Sequence, residues 1–134
     1  MINLEEQIGL FKNVIGPQLD KKVECIAIGG SAMMFYQAKN ATKDVDLVFL
    51  KNEDLEAVKE ILFKSGFNER KNIQGIFRED EDSSKPVMME SPETRFDLFL
   101  NEVIGFKIHK STIERLREVH EFGNFIVKTA SPED

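Results

Sequence analysis

With one cysteine in the chain, no internal disulfide can brace the fold, and a reducing cytoplasm is the expected setting. That residue, Cys25, sits in the apolar stretch ahead of Gly29, where packing is the expected role rather than reactivity. Long hydrophobic runs are also missing. Nothing approaches the ~20 apolar residues of a bilayer-spanning helix, so no membrane partner is expected. The first residues, Met1-Ile2-Asn3-Leu4-Glu5-Glu6, carry acids where a secretory signal would carry bases and an apolar stretch. Positive charge is scarce. A formal net charge of −6 opposes broad, charge-driven adhesion to nucleic acid. The bases that do cluster are Lys107, His109, Lys110, Arg115 and Arg117, which read as a solvated helix face or, alternatively, as a local RNA contact. Internal repeats, low-complexity blocks and inter-domain linkers are absent as well.

What remains suits a single packed unit. The 134 residues are 41% hydrophobic and 31% charged, enough apolar mass for a real core and too much for disorder. Residues 1–134 are therefore read as one domain, of the α+β (α/β) class.

Leu4, Ile8, Phe11 and Ile15 recur at helical spacing behind the Asn3/Glu6 capping pair. A helix is expected over 4–19, kinked or ended near Gly16-Pro17. A buried strand over 24–28 should run into Gly29-Gly30, followed by a short helix over 31–37 and a central strand over 44–50. Asn52 is placed to cap a third helix that presents Leu55, Val58 and Leu62 and stops at Gly66. A weak β tendency follows Phe67. Strands over 76–78 and 86–89 are expected around a polar, mobile loop at 79–85. A strand over 94–100 comes next. Ser111 with Glu114 resembles a capping box ahead of Ile113, Leu116 and His120, which predicts a fourth helix. The turn at Gly123-Asn124 should lead into a last strand over 125–128. The expected whole is a central mixed sheet flanked by about four helices.

Chemistry concentrates in two places. Asp44 and Asp46 stand two apart on a strand, so their side chains leave the same face. Carboxylates held that close repel unless a cation neutralises them, and a hard divalent ion with oxygen ligands is the natural solution. Asp97, in the strand Thr94-Arg95-Phe96-Asp97-Leu98-Phe99-Leu100, is a third acid that its apolar neighbours should bury. Upstream, Gly29-Gly30-Ser31 lies between a strand and a helix. There glycines allow close backbone approach, exposed amides attract phosphate, and Ser31 adds a hydroxyl. Lys43 is either a phosphate contact or an exposed strand-edge base. Arg95 either steers Asp97 or touches substrate, or it pairs on the surface with Glu93. His109 and His120, eleven apart with no cysteine partner, read as surface or packing residues rather than metal ligands. Tyr36 fits core packing better than base stacking.

Taken together, Ile26-Ala27-Ile28-Gly29-Gly30-Ser31-Ala32 followed by Thr42-Lys43-Asp44-Val45-Asp46-Leu47 resembles the signature of the polymerase-β-like nucleotidyltransferases. Asp97 matches the third acid of that family in position and surroundings. The likeness is greatest to the small prokaryotic branch that includes the AbiEii-type toxins and the minimal nucleotidyltransferases paired with helical partners. Residues 109–115 resemble the helix after the third acid, and 127–134 its Ser-Pro-Glu-Asp element. Two departures stand out. Lys39 and Lys43 are the nearest bases where many relatives have an arginine, and a lysine lacks the bidentate fork. Relatives also continue beyond the Ser-Pro-Glu-Asp element, so a pared-down natural chain, a truncated one, or a core completed by a protein partner is expected.

The resemblance implies a nucleotidyltransferase fold and transfer of a nucleoside monophosphate from a nucleoside triphosphate to an acceptor hydroxyl. Asp44, Asp46 and Asp97 would be catalytic and bind magnesium, with two ions expected; Gly29, Gly30, Ser31 and Lys43 would bind the nucleotide. The acceptor would be a protein, a small molecule or RNA, in a setting such as a toxin–antitoxin system. The alternative is a non-catalytic nucleotide- or partner-binding module on the same fold, including a homo-oligomeric one.

Overall fold

The structure is a computed structural model, and it describes residues 1–36, 39–70, 86–100 and 116–130. Among these the elements run β1 (Ile2–Asn3), α1 (Leu4–Gly9), β2 (Val23–Ile28), α2 (Gly29–Phe35), β3 (Ala41–Thr42), β4 (Asp44–Phe49), α3 (Asn52–Lys64), β5 (Asn68–Glu69), β6 (Val87–Glu90), β7 (Arg95–Leu100), β8 (Leu116–Phe122) and β9 (Phe125–Ala130). The class is α+β, with three α-helices rather than four among the described residues. None of these helices is long and apolar enough to cross a membrane.

The capping pair forms as expected. Glu6 N–H donates to Asn3 Oδ1 at 2.8 Å and Asn3 N–H donates to Glu6 Oε1 at 2.9 Å, satisfying donors the first turn would leave open. Beyond Gly9 the helix widens into a π-helical stretch, Leu10–Ile15, and tightens into a 3₁₀ turn, Gly16–Gln18, that carries Pro17. Proline stops the helix here as anticipated. Gly16 is needed for a second reason: a Cβ there would collide with the Phe122 carbonyl of β8. The π stretch turns both Phe11 and Ile15 fully inward. Phe11 then meets Phe125 at 5.3 Å, Phe122 at 5.5 Å and Phe96 at 6.4 Å between ring centroids, joining the N-terminal helix to the sheet.

Seven strands make one mixed sheet in the order β5-β6-β7-β4-β2-β9-β8. β4 runs parallel to β7 and antiparallel to β2, and β2 runs parallel to β9. A small separate pair, β1 with β3, ties the N-terminus to the chain just ahead of β4. The core lies on one face: Val45, Leu47, Phe49, Phe96 and Leu98 from the centre of the sheet meet Leu55, Val58 and Leu62 of α3. Cys25 is buried and free, and burial pushes its thiol well above the ordinary range, as a packing residue requires.

Two local expectations are corrected. Lys51, not Asn52, is the N-cap of α3, and no side chain caps it; Glu53 and Asp54 in its first turn favour the helix start instead. More importantly, residues 116–122 form a strand, not a fourth helix. Phe122 pairs directly with Phe125, so Gly123-Asn124 is a two-residue hairpin turn, and the ladder to β9 outweighs any helical preference of this stretch. The strand at 76–78, the loop at 79–85, the capping box at Ser111 and Glu114, and the residues resembling the family's last elements lie outside the described residues. So do Lys107, His109, Lys110 and Arg115 of the basic stretch; Arg117 falls in β8.

Candidate active site

β4 and β7 lie side by side in parallel, and their register sets the chemistry. Asp44 is the backbone partner of Arg95, and Asp46 is the partner of Asp97. Alternation puts Val45, Leu47, Phe96 and Leu98 on the core face. The same alternation puts the three acids and the arginine together on the other face. The three acids singled out in the sequence are therefore neighbours, brought together from positions more than fifty residues apart.

Arg95 holds two of them. Its Nε donates to Asp97 Oδ1 at 2.9 Å, and one terminal nitrogen donates to Asp97 Oδ2 at 3.2 Å and to Asp44 Oδ2 at 3.0 Å. The fork on Asp97 is bidentate, the geometry that makes arginine more than a point charge. Of the roles open to Arg95, steering Asp97 is the one seen. Asp46 has no such partner. Burial, then the charges of Asp97 and Asp44, then a hydrogen bond to Asp97 push its carboxyl up to about 6, with Arg95 opposing. Burial also raises Asp97, against the hydrogen bond and charge of Arg95. Burial works against the charge on Arg95, but its bond to Asp97 and the surrounding carboxylates hold it protonated more firmly than usual. Two carboxylates thus share a single guanidinium, and the third, Asp46, lies against Asp97.

The glycine turn abuts this cluster. Gly29 has φ of +62°, a conformation that favours glycine, and a Cβ there would lie 3.0 Å from Asp46 Oδ2. The turn and the Asp-x-Asp strand are thus in contact, and the glycine makes that contact possible. At Gly30 a Cβ would fall 2.7 Å from Thr42 Oγ1 and 3.0 Å from Lys39 Nζ. Thr42 in turn donates its hydroxyl to the Asp44 carbonyl at 2.9 Å, fixing the entry to β4.

Other candidates fall elsewhere. Ser31 is fully buried, and its hydroxyl donates to Gln7 Oε1 at 2.8 Å, as a buried hydroxyl takes the internal acceptor available. Lys43 is exposed at the mouth of a cavity of about 240 Å³ that Asp44, Arg95, Glu90 and Glu93 also line. The base beside the glycine turn is Lys39 instead, a residue noted in the sequence only as a neighbour of the motif. Its position three residues before Thr42 was the available signal. Tyr36 hydrogen-bonds Thr129 at 2.8 Å, tying the end of α2 to β9, and His120 stacks on Phe35 at 4.1 Å. Both serve packing, as expected.

Among the described residues, no three His, Cys, Asp or Glu side chains are arranged to chelate a metal ion. The donor set still suits a hard divalent cation: all-oxygen, adjacent and carrying more negative charge than one guanidinium can answer. The carboxylates are turned to Arg95, which stands where a cation would be held. No protein-family model matches the chain, and no curated protein does either.

Proposed function

We propose that this chain has a nucleotidyltransferase fold and transfers a nucleoside monophosphate from a nucleoside triphosphate to an acceptor hydroxyl, with magnesium. One observation supports this above the rest: the Gly29-Gly30 turn touches Asp46 while Asp46 sits in register with Asp97. A backbone able to approach phosphate closely is thereby set against paired carboxylates able to hold a divalent ion.

Asp44, Asp46 and Asp97 would hold magnesium, with two ions expected. Bound there, the metal supplies charge neutralisation and Lewis acidity at the phosphoryl oxygens. The chain's own residues supply the rest. Gly29 and Gly30 admit the triphosphate, and the ammonium of Lys39 lies where it can meet phosphate charge. Asp97 would take the proton of the acceptor hydroxyl once its carboxylate is free of Arg95. A bond forms between the acceptor oxygen and the α-phosphorus as the bond to pyrophosphate breaks. The acceptor is a protein, a small molecule or RNA, and a toxin–antitoxin setting in the cytoplasm with a protein partner fits the family likeness.

The test is incubation of the chain with each α-labelled nucleoside triphosphate, magnesium and cell lysate. Label moving to one acceptor class with release of pyrophosphate supports transfer. No labelling with any of the four nucleotides, and no pyrophosphate, counts against it.

The Arg95 clamp favours a second reading, a nucleotide- or partner-binding module without turnover. With Asp44 and Asp97 already bonded to a guanidinium, the site can stay folded without metal. Metal-dependent label transfer separates the two readings, since a binding module would show thermal stabilisation by nucleotide and no pyrophosphate.

A further inference from the structure

We infer that Arg95 is a built-in counter-cation that competes with divalent metal for Asp44 and Asp97, so that metal loads only when the guanidinium lets go. This rests on the metal–triphosphate reading above and adds a step that controls entry to the site. Arg95 occupies both oxygens of Asp97 and one oxygen of Asp44. A divalent ion held by the same carboxylates would meet the charge of the guanidinium, and two such positive charges repel strongly in a half-buried site. The two cations are therefore alternatives.

The surroundings permit the exchange. The Arg95 side chain keeps 27% of its surface exposed while that of Asp97 keeps 11%, so the arginine can leave more easily than the acid. It also borders the cavity of about 240 Å³ that Glu90 and Glu93 line, which gives a released guanidinium both room and carboxylates to meet. Asp46 stays outside the clamp.

The experiment titrates the full chain, Arg95→Met and Arg95→Lys with manganese(II) in the absence of nucleotide, reading free metal by electron paramagnetic resonance. Circular dichroism confirms that each variant is folded. Removing the competing charge is expected to tighten manganese binding by roughly tenfold or more in Arg95→Met. Arg95→Lys, which keeps charge but loses the fork, should fall between it and the unaltered chain. Binding by Arg95→Met that equals or falls below that of the unaltered chain overturns the inference. Should Arg95→Met not fold, Arg95→Lys decides alone: tighter binding supports the competition, and equal or weaker binding overturns it. If the unaltered chain and the variants bind no manganese even with a nucleoside triphosphate present, the functional reading fails and the inference with it.

Discussion

The two faces of the β4–β7 pair are built from alternate residues of the same two strands, yet they do opposite things. On one face Val45, Leu47, Phe96 and Leu98 are wholly removed from solvent and pack into the core. On the other, Arg95 bonds Asp44 and Asp97, and Asp46 lies against Asp97, with more negative than positive charge. The first face stabilises the fold, and the second costs stability to keep a site charged. Because strand period fixes both, the acids cannot drift: the apolar face that anchors the pair also aims the carboxylates.

The largest expected effect comes from breaking the apolar face. Phe96→Ala should lower unfolding free energy by about 3–5 kcal/mol, measured by chemical denaturation, because Phe96 is fully buried between Phe11 and Phe67. On the charged face the effects are smaller and differ in sign. Arg95→Met should cost about 2 kcal/mol without added metal, since Asp44 and Asp97 then lose the guanidinium that bonds them; adding magnesium should recover part of it. Asp46→Asn should do the reverse. The folded carboxyl titrates at about 6 against 3.8 for an ordinary one, so the native state binds the extra proton between those values. Stability from this group is present below about pH 4 and is lost as pH rises through 6. The asparagine variant should therefore gain about 1 kcal/mol above pH 6, allowing for solvent screening, and gain nothing below pH 4. Unfolding curves across that range check it. Smallest of all, Lys39→Ala should leave stability within about 0.5 kcal/mol, because the residue is exposed, while weakening triphosphate affinity in a binding titration.

The same contrast explains what could be read from the sequence. The alternation in residues 44–50 and 94–100, the capping pair at Asn3 and the stop at Pro17 are local signals, and each has its counterpart in the structure. Local pattern could place Asp44 and Asp46 on one face. It could not say that Asp97 lies in register with Asp46, since that depends on the parallel pairing of two distant strands. Residues 116–122 were misread because Ser111, Glu114 and the apolar spacing suggested a helix. Glycine and asparagine at the turn, two residues between two ladders, were the hairpin signal. The bond of Ser31 to Gln7 and the approach of Lys39 to Gly30 are tertiary contacts that nothing near either residue in the sequence reveals.

The most direct measurement is calorimetric titration of the full chain with non-hydrolysable analogues of the four nucleoside triphosphates, in magnesium and in chelator, alongside Asp44→Asn. The expected result is saturable binding of at least one analogue that requires magnesium and is lost in the variant. Binding of equal strength in chelator, or none for any analogue, would contradict a metal–triphosphate site formed by the glycine turn and the three acids.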